Sequence, residues 1–322
     1  MPPTIVFTDI SFPTPREEAI LTQELNAQLV KVHLKTEEEV IATCAEADVL
    51  LVAFAPITRR VIENLKRCQL IVRYGIGYDM IDVDAATERG IAVCNVPDYC
   101  IEEVALHTVG LLLCCARKIL QLDASMRAGR WDARGAAYPG HRLSQQTLGI
   151  VGIGRIGRTV ARMAQALGLN VVAFDPFVSA SDVAQMVSFD ELLRSADYVT
   201  IHCPLTEGTR HLFNADAFSK MKPSAYLINC ARGAIVDEQA LIGALRQKRI
   251  AGAALDVYAQ EPLPADSPLR HWDNVILQPH AAWYSEESFA ELQERVAESV
   301  VQFFQGERPR GLVNPQVWKP RS

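Results

Sequence analysis

Arg232, Glu261 and His280 have the side-chain types needed to move a proton beside a bound carboxylate. A guanidinium presents a planar fork of donors that matches a carboxylate. An imidazole titrates near neutrality, so it can give or take a proton. A neighbouring carboxylate would hold that imidazole in one tautomer and favour its charged form. Arg232 comes just after an apolar run at 225–229, Glu261 after Asp256-Val257-Tyr258, and His280 after a run at 275–277. Such runs read as parallel strands, and ligands of open α/β sheets bind beyond strand C-termini. Any one of the three alone reads as an ordinary surface charge. Together they meet what hydride transfer to a 2-oxo acid requires.

A hydride carrier has a place in the same half of the chain. An apolar run at 148–153 is followed by Gly152, Gly154 and Gly157 at G-x-G-x-x-G spacing. A helical pattern then runs to Gly168, with Ile156, Val160, Met163, Ala164 and Leu167 on one face and Arg155, Arg158 and Arg162 among its polar positions. A second apolar run ends in Asp175, 18 residues past Gly157. Gly152 permits the tight turn, Gly154 lets backbone approach a pyrophosphate, and Gly157 lets helix and strand pack closely. The helix N-terminus, at Arg155 and Ile156, offers N–H groups and a positive dipole end to phosphates. Asp175 falls where a carboxylate accepts hydrogen bonds from an adenosine ribose. A 2′-phosphate there would meet like charge, and Pro176-Phe177 supply no arginine, so NAD is expected rather than NADP.

The positioning elements alternate. Runs at 5–7, 29–32, 49–52, 70–72 and 91–94 read as strands, with helical segments such as 16–26 and 36–45 between them. Within this part, Arg73-Tyr74-Gly75-Ile76-Gly77 reads as a ligand loop at a strand end or simply as a tight turn. Residues 101–125 read as one long helix, apolar on nearly every side over 104–116 and so expected to be buried between domains or subunits. His107 within it reads as a hydrogen-bonded core histidine. Residues 127–146 read as an extended arm, which dimers often use. Six strands then alternate with helices at 188–195, 214–220 and 238–247. Ser285 caps a last helix whose stripe of Phe289, Leu292, Val296, Val300 and Phe303 must cover a core, expected to be that of the first domain. The fold class is α/β: two doubly wound parallel-sheet domains, a Rossmann nucleotide domain plus a smaller flavodoxin-like substrate domain. The expected spans are 1–99 with 286–322 for the substrate (catalytic) domain and 100–285 for the NAD-binding domain.

The 322 residues are 49% hydrophobic with a formal charge of −6, which disfavours nucleic acid or an anionic membrane as a partner. The longest apolar run is too short to span a bilayer, and the N-terminus has no basic or apolar leader region. Eight cysteines show no paired spacing. Cys94, Cys114, Cys115, Cys203 and Cys230 read as buried free thiols, and no metal site is expected. These features point to the cytoplasm.

The chain resembles the D-isomer-specific 2-hydroxyacid dehydrogenases over essentially its full length. The resemblance rests on the glycine motif with Asp175, on Asn229-Cys230-Ala231-Arg232-Gly233, on Ala254-Leu255-Asp256-Val257 leading to Glu261-Pro262, and on Pro279-His280-Ala281-Ala282-Trp283. It is most similar to the branch holding the C-terminal-binding proteins. Val72-Arg73 before Gly75-Ile76-Gly77, residues 91–97, and His280-Ala281-Ala282-Trp283-Tyr284-Ser285-Glu286 carry that likeness. The resemblance implies that Arg232 binds the substrate carboxylate and carbonyl, that His280 is the general acid in reduction, and that Glu261 is its partner. It implies that the Gly75-Ile76-Gly77 loop, following Tyr74, gives N–H groups to the carboxylate, with Arg73 and Trp283 edging the pocket. Asp256 would contact the nicotinamide amide. Cys203, Pro204 and Thr209 would line the dinucleotide, with Cys230 and Ala231 beside it. Trp283 as a wall favours a substrate with an apolar or thioether side chain over a phosphorylated one; otherwise it is core packing. The partner implied is a small 2-oxo or 2-hydroxy acid; the apolar helix at 104–116 and the arm after it point to a homodimer.

Three other readings compete. Formate dehydrogenases share the outline, but their histidine partner is a neutral amide, unlike Glu261. A phosphoglycerate dehydrogenase is a further alternative, made less favoured because no regulatory domain follows the last helix. The third, from another class, is an NAD(H)-sensing corepressor-like scaffold that binds peptide partners.

Overall fold

The short apolar runs become parallel strands in a computed structural model that describes residues 2–10 and 12–319. Residues 1, 11 and 320–322, which the expected domain spans include, lie outside the described residues. The chain divides into two units, Met1–Tyr99 with Ser285–Ser322, and Cys100–Tyr284.

In the first unit, β1 (Thr4–Phe7), β2 (Gln28–Lys31), β3 (Val49–Val52), β4 (Leu70–Arg73) and β5 (Ala92–Cys94) form a parallel sheet of order β2-β1-β3-β4-β5. That is the flavodoxin-like order. Every residue of β3 and β4 is buried, as a sheet covered on both faces demands. The helices are α1 (Pro15–Leu25), α2 (Glu37–Cys44), α3 (Arg59–Asn64) and α4 (Val83–Glu88). Thr36, Thr58 and Asp82 cap α2, α3 and α4 by accepting first-turn N–H groups. At the C-terminal edge, buried Asp9 accepts the N–H groups of Ala53, Phe54 and Ala55 at 2.9, 2.5 and 3.0 Å, which ties the ends of β1 and β3 together.

The second unit opens with α5 (Ile101–Arg117), α6 (Ile119–Arg127) and α7 (Ala133–Ala137). The single helix expected over 101–125 is therefore broken. Lys118 takes a left-handed conformation (φ 53°), ending α5 and starting α6, while its Nζ meets the Tyr226 hydroxyl and sits 4.1 Å from the ring centroid. A tertiary contact thus overrides a helical pattern. One face of α5 packs on the helix Arg155–Ala166, and Leu106 is 60% exposed. The expected arm is partly helical as well, because Asp132 caps α7 through the Gly135 N–H at 2.8 Å.

The sheet of this unit has β6 (Thr147–Val151), β7 (Asn170–Phe174), β8 (Gln185–Met186), β9 (Tyr198–Ile201), β10 (Tyr226–Asn229), β11 (Gly252–Leu255) and β12 (Val275–Leu277). Their order is β12-β11-β10-β9-β6-β7-β8, all parallel, a Rossmann-type doubly wound sheet. The two-residue β8 adds a seventh strand to the six expected. It is too short to show a period. Helices α8 (Arg155–Ala166), α9 (Phe189–Ser195), α10 (Ala215–Lys220) and α11 (Glu238–Arg246) cover the faces, giving one apolar cluster on each.

The last helix, α12 (Glu286–Gln305), belongs to the first unit and packs on α1 and β4. Ser285 caps it at the Ser288 N–H, and Gly306 (φ 80°) ends it in the left-handed conformation that glycine adopts freely.

Candidate active site

The glycine turn after β6 is built by close approaches. A Cβ on Gly152 (φ +94°) would lie 2.5 Å from the Cys203 nitrogen, across the point where the strand order reverses. One on Gly157 would lie 2.1 Å from the Gly152 carbonyl oxygen, so no larger residue fits at either position. Gly154 differs: nothing stands within 4 Å of its missing Cβ. The space above it opens where α8 begins, and no side chain caps that helix end. This is the cradle a pyrophosphate needs. Arg155 is exposed and Ile156 half-buried in the first turn. Asp175, at the end of β7, accepts the Ile153 N–H at 3.0 Å and the Phe177 N–H at 2.9 Å, so its carboxylate is fixed against the turn. The residues present therefore fit an NAD molecule.

Cys203 and exposed Pro204 follow β9. Thr209 closes their loop, its hydroxyl donating to the Pro204 carbonyl at 2.7 Å and accepting the Thr206 N–H at 2.8 Å. Cys230 and Ala231 follow β10. Burial pushes the Cys203 thiol up to about 11 and the Cys230 thiol up to about 12, so neither is a thiolate nucleophile at neutral pH. All eight cysteines are free; Cys94 and Cys115 are buried, but Cys114, Cys203 and Cys230 only half-buried.

Beyond β10, buried Asn229 shapes the turn that carries Arg232. Its side chain accepts the Ala231 N–H at 3.0 Å and donates to the Arg232 carbonyl at 2.9 Å. A Cβ on the next residue, Gly233, would lie 1.8 Å from the Tyr258 carbonyl oxygen, so glycine is what lets this turn lie against the Tyr258–Glu261 loop. There Glu261 accepts the Tyr258 N–H at 3.0 Å, and its other oxygen lies 2.7 Å from His280 Nδ1. Burial would raise the Glu261 carboxyl, but the His280 hydrogen bond and charge, the Tyr258 N–H and the charge of Arg232 outweigh it and hold it below its usual range. Arg232, Glu261 and His280 are thus brought together within one unit, with His280 Nε2 left on the side of the ring away from Glu261.

His280 itself adopts φ +54°, uncommon for a residue with a Cβ. Asp256, 1% exposed, secures it. The Asp256 carbonyl accepts the His280 N–H at 2.8 Å, and its carboxylate accepts the N–H groups of Ala281 and Ala282 at 2.7 and 3.0 Å. His107 Nε2 stands 3.9 Å from the same carboxylate, beyond hydrogen-bond reach, and has no other partner among the described residues. The expectation of a hydrogen-bonded core histidine is overturned: α5 presents His107 to the buried Asp256. Trp283 is half-buried, its ring edge-on to Tyr284 at 5.5 Å.

In the first unit the loop after β4 is held at several points. Val96 N–H donates to the Gly75 carbonyl at 3.1 Å, and the Asn95 side chain donates to the Ile76 carbonyl at 2.6 Å. The Gly75 N–H turns back to the Arg73 carbonyl at 3.0 Å. Among the described residues, the Ile76 and Gly77 N–H groups have no protein acceptor. Gly75 has φ +132°, and a Cβ there would strike the Arg73 guanidinium, which also lies 5.8 Å from the Phe54 ring centroid. Tyr74 is buried, with its hydroxyl turned inward to Glu17.

The family profile described as D-isomer specific 2-hydroxyacid dehydrogenase, NAD binding domain, matches residues 109–282, more than half of the chain. The chain belongs to that family. It is similar to a D-3-phosphoglycerate dehydrogenase of Methanocaldococcus jannaschii, 41% identical over 286 residues that cover 87% of this chain and 54% of the relative. It is also similar to a glyoxylate reductase of Korarchaeum cryptofilum, 40% identical over 275 residues that cover 83% of this chain and 82% of that one. The chain therefore spans about half the length of the phosphoglycerate dehydrogenase relative. Among solved structures, an NADPH-dependent glyoxylate/hydroxypyruvate reductase from Sinorhizobium meliloti in complex with NADP and malonate superposes with a TM-score of 0.88, at 30% identity and full coverage of both chains. The family consists of oxidoreductases acting on CH–OH groups, and the matched segment contains the glycine turn, Asp175, Arg232, Glu261 and His280. No helix among the described residues is long and apolar enough to cross a membrane. For this D-2-hydroxyacid dehydrogenase family chain, two contributors were missing from the sequence reading: Asn229 as the shaper of the Arg232 turn, and Asp256 as the anchor of His280. The signal in both cases was a polar residue inside or just past an apolar strand, which must find partners when buried.

Proposed function

We propose that this chain is an NAD-dependent D-2-hydroxyacid dehydrogenase that works as a reductase of small 2-oxo acids. The Glu261–His280 pair beside Arg232 carries this reading. NAD, held at Gly152, Gly154 and Gly157, the start of α8 and Asp175, supplies or accepts the hydride when bound. Cys203, Pro204, Thr209, Cys230 and Ala231 complete its surroundings. Asp175 favours NAD(H) over NADP(H), because its fixed carboxylate opposes a 2′-phosphate.

The chain's own residues handle the acid. Ile76 and Gly77 donate their N–H groups to the substrate carboxylate, and Arg232 binds the carboxylate and carbonyl. Arg232 also stabilises charge developing on the carbonyl oxygen, and His280 Nε2 protonates it. Glu261, 2.7 Å from Nδ1, holds the imidazole in one tautomer and orientation. In the oxidative direction the same atoms take the proton back. Arg73 and Trp283 border the substrate, as in the C-terminal-binding-protein branch that the His280–Glu286 stretch resembles. Those borders favour an apolar or thioether side chain over a phosphorylated one. The acting species is a homodimer in the cytoplasm.

The test follows NADH absorbance while the protein is offered glyoxylate, pyruvate, 2-oxo acids with methylthio, branched and aromatic side chains, and phosphohydroxypyruvate, with His280→Ala as control. Rapid turnover of an unphosphorylated acid that His280→Ala abolishes supports the proposal. Preference for phosphohydroxypyruvate would favour a phosphoglycerate dehydrogenase. Tight NADH binding with feeble turnover throughout would favour an NAD(H)-sensing scaffold.

A further inference from the structure

Glu17 stands in the first turn of α1, and its side chain is wholly buried (0% exposed). One oxygen accepts the Tyr74 hydroxyl at 2.8 Å; the other, Oε2, has no partner among the described residues. Tyr74 belongs to an aromatic group. Phe12 stacks edge-on to Tyr74, with centroids 6.0 Å apart, and to Phe289 of α12, 5.0 Å apart. A carboxylate needs several donors when it is removed from water, and one hydroxyl is not enough. Neutral acid suits this pocket better than the ion.

The charged groups around it offer little relief. Glu18, on the same helix, is held by Lys31 of β2 and by the Thr14 hydroxyl, and its charge opposes ionisation of Glu17, while Lys31 favours it. From α12, the neighbours are neutral Gln293, bonded to the Pro13 carbonyl at 2.8 Å, and Glu294, paired with Arg16 at 2.6 Å. From the loop after β4 comes Tyr74 itself. Burial is the largest influence and raises the Glu17 carboxyl from 4.5 to about 7. Its own helix-end N–H and the Tyr74 hydroxyl oppose the rise only in part. Glu17 therefore changes charge within the range where such an enzyme works.

Tyr74 is also the residue from which the Gly75–Gly77 loop starts. The loop's far side is fastened by Val96 and Asn95, and its near side by the Tyr74 N–H, which donates to Val52 at 2.8 Å, and by the Tyr74 hydroxyl on Glu17. We propose that Glu17 is a positioning residue acting through Tyr74: with Glu17 protonated the loop keeps its Ile76 and Gly77 N–H groups set for a carboxylate, and with Glu17 ionised the pocket around its unpartnered Oε2 rearranges and the loop with it, so substrate KM follows its protonation. This rests on the reading of the loop as the carboxylate site. An ionised Glu17 accepts the Tyr74 hydroxyl more strongly but must also draw donors or water to Oε2, which moves Tyr74 and the loop attached to it.

The experiment compares the full chain with Glu17→Gln, a neutral isostere, from pH 6 to 8.5 with glyoxylate and NADH. The ratio of wild-type to variant KM for glyoxylate cancels ionisations common to both proteins. It should be near one at pH 6 and rise to about three- to tenfold at pH 8.5, while the kcat ratio and the KM for NADH stay level. The Gly77 amide resonance should titrate near neutrality in the wild type and stay fixed in the variant. A level KM ratio, or a pH effect that falls on kcat instead, would overturn the proposal. If no 2-oxo acid is turned over, the functional reading falls, and the amide titration decides the coupling by itself: a Gly77 resonance that does not move overturns it.

Discussion

Asp256 holds His280 in a conformation that the residue would not choose alone. The Asp256 carbonyl accepts the His280 N–H at 2.8 Å, and its carboxylate takes the next two N–H groups at 2.7 and 3.0 Å. His280 thereby keeps φ +54° and points Nδ1 at Glu261. Strain of this kind persists only where surrounding bonds over-determine it.

Asp256→Ala should therefore act on geometry. Two N–H groups lose their acceptors, at about 1–3 kcal/mol each if they stay buried, and the His280 segment relaxes. A displacement of about 1 Å is enough to lower kcat about 100-fold. Steady-state kinetics together with a thermal melt check this. Unchanged kcat in a folded Asp256→Ala protein would remove the anchoring role.

Glu261→Gln keeps an acceptor for Nδ1 but removes the negative charge that favours imidazolium. The Glu261 carboxyl is held below its ordinary range, so the charge is present throughout the neutral region. Reductive kcat/KM at neutral pH should fall about 100-fold. For stability the sign is that of a depressed acid. The contribution of Glu261 is present above the unfolded-chain value and is lost as pH falls through the folded one. A neutral-pH kcat/KM equal to wild type would show that Glu261 does not act through its charge.

Much of this site was legible because its parts are local. The glycine spacing, the acid at the end of the second strand, and polar residues just past apolar runs are chain-neighbour patterns, and the structure places Arg232, Glu261 and His280 together as those patterns imply. What escaped depends on contacts between distant residues. Lys118 breaks the long helix because Tyr226, more than 100 positions away, receives its ammonium group. Glu17 lies in the first turn of a helix with an acidic neighbour, yet it is wholly buried and accepts the Tyr74 hydroxyl, 57 positions away. Gly233 looks like a turn residue, whereas the Tyr258 carbonyl is what excludes a side chain there. Spacing along the chain carries none of this information.

Asp175→Ser should relax the choice of cofactor. The wild-type carboxylate is pinned by the Ile153 and Phe177 N–H groups, and in the role proposed for it receives ribose hydroxyls and repels a 2′-phosphate. Losing a charged acceptor weakens NADH use by about 10- to 100-fold in kcat/KM. Use of NADPH should rise at the same time, because the repulsion goes with the charge. Paired measurements with both cofactors, at one salt concentration, check the direction. An NADPH preference already present in the wild type would contradict the role assigned to Asp175.

Glu17→Gln should stabilise the protein at alkaline pH and leave it unchanged in acid. The folded state keeps a proton on Glu17 up to about pH 7, whereas an ordinary glutamate loses it near 4.5. Between those values the native state binds more protons than the unfolded chain, so stability falls as pH rises and stays lower above 7. A shift of that size corresponds to about 3 kcal/mol as an upper figure. Glutamine never ionises, so the variant escapes this loss, apart from whatever its amide gives up for want of partners. Thermal melts at pH 5 and pH 8.5 should show near-equal midpoints at the first and a higher midpoint for the variant at the second. A variant less stable than wild type by the same margin at both pH values would mean that the Glu17 carboxyl does not titrate in its pocket.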